Sequence, residues 1–344
     1  MRVEYDVPLA PLTTLRLGGP ARRMVTAEAE PEILAGLRAA DAVAAPLLVL
    51  GGGSNLVVPD AGFDGTVLRI ATRGVSAQVD SCSGATVTVA AGEPWDDLVE
   101  RAVAESWAGV EALAGIPGLT GATPIQNVGA YGQDVSQTVA RVRTYDRVTA
   151  RVRTFAAADC AFTYRHSRFK GSPRWVVLDV TFQLRVGALG EPVCYAELAR
   201  RLGVPLGARA PLADVRAAVL ELRRGKGMVL DPADHDTWSA GSFFTNPVLP
   251  AEQAATLPPE TPRWPEPDGR VKVSAAWLIE RAGFGKGYGA GPVSLSTKHT
   301  LALTNRGGAT TAQLLALARE VRDGVEAAHG IRLVNEPVLV GCVL

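Results

Sequence analysis

A serine stands between a glycine and two aromatic rings in Gly241-Ser242-Phe243-Phe244-Thr245-Asn246, with Pro247 following. A glycine lets backbone or ligand approach closely, and paired phenylalanines exclude water, so the hydroxyl between them could deliver a proton in a dry site. Taken alone, the stretch also reads as an ordinary buried strand with a polar residue at a bend. No G-x-S-x-G elbow surrounds Ser242, which argues against a hydrolase nucleophile. Two glycine-rich segments widen the chemistry. Leu47 to Leu50 reads as a buried strand and runs directly into Gly51-Gly52-Gly53-Ser54-Asn55-Leu56. Successive backbone N–H groups there form either a concavity for anions or a structural hairpin turn. The dinucleotide fingerprint G-x-G-x-x-G fails, because Leu56 stands where its third small residue belongs and Val57-Val58-Pro59 cannot open a helix. The absence of G-K-[ST] excludes a P-loop. The second segment, Gly115-Ile116-Pro117-Gly118-Leu119-Thr120-Gly121-Ala122, continues to Asn127-Val128-Gly129-Ala130-Tyr131-Gly132. Its small residues let backbone lie against a flat ring, and Tyr131 adds a phenol at the border. Two such loops in one half of a chain imply an extended ligand with a diphosphate and a planar ring.

The elements that must carry these segments are legible from periodicity. Pro31 opens a helix through residues 32–38, and Pro94 opens another through Trp95, Leu98, Val99 and Val103. Strands are predicted at 65–70 and 86–90, a hairpin from 139–145 and 150–155, and a longer strand over 175–186. The arginines alternating along the hairpin read as a solvated face, not a nucleic-acid patch. In the second half a helix spans about 212–224, with Val215, Ala218, Val219 and Leu222 in one stripe. A polar loop through Lys226 leads to a strand at Gly241-Ser242, and the proline-rich 250–269 is an irregular connection. A helix at 275–281, a glycine-rich turn at 283–291, a strand at 301–304, a helix at 310–328 and a closing strand at 333–343 complete the chain.

At 344 residues the chain exceeds one average domain, and 47% hydrophobic residues can bury substantial cores. The 35 basic and 35 acidic residues cancel, so no global field recruits nucleic acid or an anionic membrane. Cys82, Cys160, Cys194 and Cys342 lie far apart with no C-x-x-C pair, which fits a reducing compartment without disulfides or a metal site. The first six residues carry acid where a signal peptide needs an apolar run, and no run approaches the roughly 18 apolar residues of a membrane span. A cytoplasmic protein is expected, with no nucleic-acid or membrane partner.

The two glycine-rich loops, Tyr164-Arg165-His166-Ser167-Arg168-Phe169-Lys170 and Gly241 to Pro247 occur in an order that resembles the UDP-N-acetylenolpyruvoylglucosamine reductases (UDP-N-acetylmuramate dehydrogenases) of peptidoglycan synthesis. Thr13-Thr14-Leu15-Arg16-Leu17-Gly18-Gly19 and Ser296-Thr297-Lys298-His299 look like further family segments, although Thr14 stands where many relatives carry Asn. The resemblance spans nearly the whole chain. It implies an α+β fold: an FAD-binding domain of the vanillyl-alcohol oxidase (PCMH) type over 1–200, made of two α+β subdomains at about 1–70 and 71–200, then a smaller α/β substrate-binding domain over 201–344. It also implies non-covalent FAD, NADPH as hydride donor, and reduction of the enolpyruvyl ether of UDP-N-acetylglucosamine to UDP-N-acetylmuramate.

Residue by residue, the resemblance assigns FAD to Gly51, Gly52, Gly53, Ser54, Asn55, Leu56, Gly115, Ile116, Pro117, Gly118, Gly121, Ala122, Asn127, Gly129, Ala130 and Tyr131. Arg165, Ser242 and Glu336 match the catalytic positions: a guanidinium fork for the carboxylate, a proton donor, and a carboxylate that is either protonated or orients Arg165. Tyr195, Lys226 and Asn246 match positions that hold the UDP portion, and His299 is given a supporting polar role. The segment around Tyr195 points to the subclass with a tyrosine loop. Without the resemblance, Arg165 reads as a surface ion-pair former, Glu336 as a strand-end glutamate and Lys226 as a solvated loop lysine. A monomer is expected. The rival readings are an oxidase on the same flavin scaffold and a nucleotide-sugar binder without flavin chemistry.

Overall fold

The computed structural model describes residues 1–80 and 82–344. They divide into two compact units. The first comprises Met1–Val7, Ala21–Gly52 and Asp64–Gly225; the second comprises Pro8–Pro20, Gly53–Phe63 and Lys226–Leu344.

The first unit is built on two sheets. One takes β1 (Arg2–Pro8), β2 (Pro20–Ala27), β3 (Leu47–Leu50) and β5 (Phe63–Ile70) in the order β1-β2-β5-β3; β4 (Leu56–Val57) belongs to the second unit. β3 and β5 run parallel, Leu47 opposite Thr66 and Leu50 opposite Arg69. Helix α1 (Glu30–Ala42) connects β2 to β3, starting with Pro31 and two glutamates in its first turn, where acid suits the helix dipole. Its buried face is Ile33, Gly36, Leu37 and Ala40.

The larger sheet has the order β12-β11-β13-β7-β6: Arg151–Ala156, Val139–Asp146, Trp175–Val186, Gly84–Ala90 and Val75–Asp80. β7 alternates half-buried and buried residues, as one packed face requires. The predicted hairpin is present, with Arg141 opposite Ala156 and Asp146 opposite Arg151. Helix α2 (Trp95–Ala104) follows β7 and buries Trp95, Leu98, Val99 and Ala102; β8 (Trp107–Ala108) then pairs with the end of β13. A short hairpin joins β9 (Gly129–Ala130) to β10 (Gln133–Asp134), with Gln133 opposite Ala130.

Helices α3 (Ala196–Leu202) and α4 (Leu212–Gly225) also pack with the first unit, which by compactness ends at Gly225. α4 buries Val215, Ala218 and Val219 and extends Arg216 to Asp96 on α2.

The second unit gathers its core around α6 (Ala275–Arg281) and α7 (Thr311–His329), with Phe243, Phe244, Leu278, Leu314, Val321 and Leu333 among its buried members. α7 starts with a capping box between Thr310 and Gln313 and ends at Gly330 in the left-handed region. Asp60 accepts from the backbone N–H groups of Thr311 (2.7 Å) and Ala312 (3.0 Å), and this anchors the early segment Gly53–Phe63 to the late helix. β4 pairs in parallel with β19 (Val338–Leu339).

The 250–269 connection is not wholly irregular. It holds β14 (Val248–Leu249) at its entrance, then α5 (Ala251–Ala255) and β15 (Arg263–Pro265), which pairs with β16 (Val271–Val273). β17 (Val293–Leu295) pairs with β18 (Leu303–Asn305). The closing strand expected over 333–343 shrinks to β19, and Gly241-Ser242 lies in no strand, because Gly241 takes the left-handed region (φ 72°) and turns its N–H back to the Ser239 hydroxyl (3.2 Å). Among the described residues no helix is long and apolar enough to cross a membrane.

Candidate functional site

In the first unit the two glycine-rich loops meet. A Cβ on Gly52 would sit 2.7 Å from the Cα of Gly118, so only glycine permits that approach. The loop holding Gly115, Ile116, Pro117, Gly118, Gly121 and Ala122 is held along its length. Gly115 N–H donates to Asp96 (2.6 Å), Trp95 N–H to the Gly118 carbonyl (3.0 Å), and Gly121 N–H to the Ala91 carbonyl (2.9 Å). Within it the hydroxyl of Thr120 is buried and has no hydrogen-bond partner among the described residues. A close-packed glycine cradle with an orphaned hydroxyl fits a group with its own polar atoms, as a flavin has.

Three non-glycine residues near this cradle take left-handed backbone: Asn127 (φ 48°), Tyr131 (φ 50°) and Arg165 (φ 51°). Each such residue costs of order 1 kcal/mol or more and persists only where its surroundings impose it. Those surroundings are visible. Asn127 donates to the Thr163 carbonyl (3.2 Å) and accepts from Ser136 N–H (3.1 Å). Ser167 donates to the Ile125 carbonyl (2.6 Å), and Lys170 to the Arg165 carbonyl (2.8 Å). Arg165 itself donates through Nη2 to the carbonyl of Gly129 (2.9 Å), beside Ala130. Tyr131 and Gly132, both at positive φ, form the two-residue turn of the β9–β10 hairpin.

Tyr131 meets the ring of Tyr195 edge-on at 5.4 Å. Burial pushes the Tyr131 phenol up to about 12, with Arg223 opposing. Arg223, on the last turn of α4, is brought down to about 10 by burial, while Tyr131 and Asp96 support its charge and Arg165 opposes it. Sequence reasoning passed over Arg223, because a basic residue near a helix C-terminus reads as an ordinary dipole partner.

In the second unit the expected glycine run divides by role. A Cβ on Gly53 would lie 1.9 Å from the Leu12 carbonyl oxygen, so this glycine serves a chain crossing; Thr14 N–H donates to the Gly53 carbonyl (3.2 Å). The Ser54 carbonyl accepts from the Thr14 hydroxyl (3.5 Å). Asn55 donates through Nδ2 to the Glu336 carbonyl (3.4 Å), and its own carbonyl accepts from Val338 N–H (2.9 Å); Leu56 pairs with Val338 in β4–β19.

One residue organises the serine segment. Phe243 donates its N–H to the Leu301 carbonyl (2.7 Å), and its carbonyl accepts from Glu336 N–H (2.8 Å). Ser242 and Glu336 are thereby held one residue apart across a backbone bond, with Phe243 and Phe244 each 1% exposed beneath them. His299 joins from the Leu301 side: its Nδ1 accepts from Leu301 N–H (3.4 Å), leaving Nε2 to carry the ring proton. Behind it, buried Asp236 holds the Thr297 turn and Arg306, while Lys298 pairs with Asp234. Asn246 accepts at Oδ1 from Ala275 N–H (2.9 Å), so its Nδ2 remains oriented as a donor. Lys226 is half-buried immediately after α4.

Residues 21–156 match an FAD binding domain. Fold and site therefore define a flavin-binding protein. Residues 231–340 match the C-terminal domain of UDP-N-acetylenolpyruvoylglucosamine reductase. The reductase of that name from Cutibacterium acnes is 59% identical over 98% of this chain and 90% of its own length. The one from Thermobifida fusca is 60% identical over 98% of both chains. The crystal structure of UDP-N-acetylenolpyruvylglucosamine reductase from Thermus caldophilus superposes with a TM-score of 0.67 at 26% identity, covering 98% of this chain and 99% of that one. The chain belongs to the UDP-N-acetylenolpyruvoylglucosamine reductase family.

Proposed function

We propose that this protein reduces the enolpyruvyl ether of UDP-N-acetylglucosamine to UDP-N-acetylmuramate in peptidoglycan precursor synthesis, using NADPH. The observation that carries the reading is identity near 60% with reductases of this name along 98% of the chain. FAD, when bound, supplies hydride chemistry between NADPH and the alkene. Gly51, Gly52, Gly115 to Gly118, Thr120 and the Asn127–Tyr131 segment would hold it. Residues 1–200 are assigned to flavin and 201–344 to substrate.

The chain's own residues have distinct tasks in this scheme. Arg165 binds the substrate carboxylate, where charge accumulates once the alkene has accepted hydride. Its hydrogen bond to Gly129 fixes the plane of the fork in advance. Ser242 gives a proton to the carbon beside that carboxylate. A hydroxyl is a weak acid, but the carbanion it quenches is a strong base, so the transfer runs downhill. Glu336, bonded through its N–H to the residue after Ser242, supplies a carboxyl at the reacting end. Tyr195, Lys226 and Asn246 bind the UDP portion, Lys226 as a point charge on the diphosphate and Asn246 as an amide donor; His299 offers Nε2–H nearby. A cytoplasmic location is proposed, because NADPH and nucleotide sugars are cytoplasmic pools.

An anaerobic titration tests donor, cofactor and acceptor together. NADPH is expected to bleach the flavin band of the purified protein, and the enolpyruvyl substrate to restore it. Bleaching without restoration refutes the substrate; a colourless protein refutes the flavin.

A further inference from the structure

Glu111 lies between β8 and the second glycine-rich loop, and its side chain has no exposed surface. Three neutral donors surround the carboxylate: Gly109 N–H (2.6 Å), Glu191 N–H (2.6 Å) and Gln133 Nε2 (2.8 Å). A buried charge held by backbone amides is expensive to place and is rigid once satisfied. The three donors come from separate parts of the first unit. Gly109 is local. Gln133 lies in β10, two residues beyond Tyr131 at the hairpin turn, and its Oε1 accepts from Ala112 N–H (2.9 Å). Glu191 opens the segment that reaches Tyr195 four residues later. That segment packs tightly on the carboxylate: a Cβ on Gly190 would stand 2.7 Å from Glu111 Oε1. Further along, Cys194 lies against Gly132, and the Tyr131 and Tyr195 rings touch.

From this geometry we infer that Glu111 is a positioning residue for substrate binding, setting the Tyr195 segment in register with the Tyr131 hairpin. The inference rests on the reading that Tyr195 binds the UDP portion. Oε1 takes both donors that join the two segments, Glu191 N–H and Gln133 Nε2, and Oε2 takes Gly109 N–H, so the NH2 of Glu111→Gln must face a donor on either side, and the side chain shifts the oxygen that the two segments share.

The test uses the flavin-loaded enzyme. In Glu111→Gln, KM for the enolpyruvyl substrate is expected to rise about tenfold, the scale of one lost hydrogen bond to a charged group. The rate of flavin reduction by NADPH is expected to stay within about twofold, because only uniform substrate binding has been weakened. Gly190→Ala crowds Oε1, the oxygen that the two segments share; it is expected to reproduce the KM rise and carries the test if Glu111→Gln fails to fold. The decisive measurement is a cycle with Tyr195→Ala. If Glu111 acts through Tyr195, adding Gly190→Ala to Tyr195→Ala raises KM no further. Additive rises overturn the inference, as does an unchanged KM in Glu111→Gln and Gly190→Ala when Tyr195→Ala raises it. Parallel loss of FAD and kcat overturns it in favour of a purely structural role. An unchanged KM in Tyr195→Ala refutes the substrate role of Tyr195 itself, and the inference with it.

Discussion

Replacing Ser242 by alanine removes one hydroxyl from a backbone that has little reason to move. The next residue, Phe243, is held on both sides, by Leu301 at 2.7 Å and by Glu336 at 2.8 Å, and the Phe243 and Phe244 rings are fully packed. Stability should therefore change by no more than about 0.5 kcal/mol, as for a substitution away from core contacts. The catalytic loss should be far larger. A positioned general acid contributes roughly 10² to 10⁴ in rate, so turnover is expected to fall at least about a hundredfold, equivalent to ~2.7 kcal/mol of barrier. Anaerobic rapid mixing separates the steps. Flavin bleaching by NADPH is expected at the wild-type rate, while recovery of the flavin band on adding enolpyruvyl substrate slows by the full factor. Ser242→Cys, with a more acidic donor on a similar stem, is expected to recover part of the loss. Turnover within about threefold of wild type in Ser242→Ala would refute the proton-donor role, because general acids contribute more than that. Equal slowing of both half-reactions would refute it as well, since the serine has no task in the first.

Gly52→Ala places a methyl group 2.7 Å from the Gly118 Cα, and overpacking of this kind costs about 1–3 kcal/mol. The expected outcome is FAD affinity lowered at least about tenfold, read from flavin retained through gel filtration. Arg165→Lys keeps the charge but loses the fork that Gly129 orients; kcat is expected to fall by roughly 3 kcal/mol of transition-state stabilisation, checked by steady-state kinetics at saturating NADPH. Burial holds the Tyr131 phenol near about 12, so Tyr131→Phe should leave the shape of the pH–rate profile unchanged across neutral pH. Asp146 is fully buried under a two-pronged bond from Arg174, which holds its carboxyl well below the usual range despite burial. A lowered pKa stabilises the fold above the unfolded value near ~4 and that contribution is lost as pH falls toward the depressed one. Asp146→Asn should cost roughly 2 kcal/mol at neutral pH in urea unfolding, with the difference from wild type shrinking in acid.

The long helices were legible because their signals are local. Val215, Ala218 and Val219 form one stripe that α4 buries, and Thr310 with Gln313 caps α7 within one turn. The 139–155 hairpin and the strand at 175–186 were equally plain, since alternation and a short turn are properties of contiguous residues. The strand expected at Gly241-Ser242 and most of that expected at 333–343 did not form. Gly241 bends at φ 72° and turns its N–H back to Ser239, while Val334 and Glu336 spend their backbone groups on Thr245 and Phe243, far away in the chain.

Residue types and their order along the chain were enough to mark a glycine-rich cradle for an extended flat ligand and to resemble one reductase family, because glycine freedom belongs to single residues; the tasks proposed for Arg165 and Ser242 came with that resemblance. Which glycines approach another loop and which merely let the chain cross was settled only by packing: Gly52 faces Gly118, whereas Gly53 lies under Leu12. The same holds for Glu111 and Arg223, ordinary charged residues until folding takes them from water. Burial and hydrogen-bond partners come from distant segments, so no local pattern encodes them.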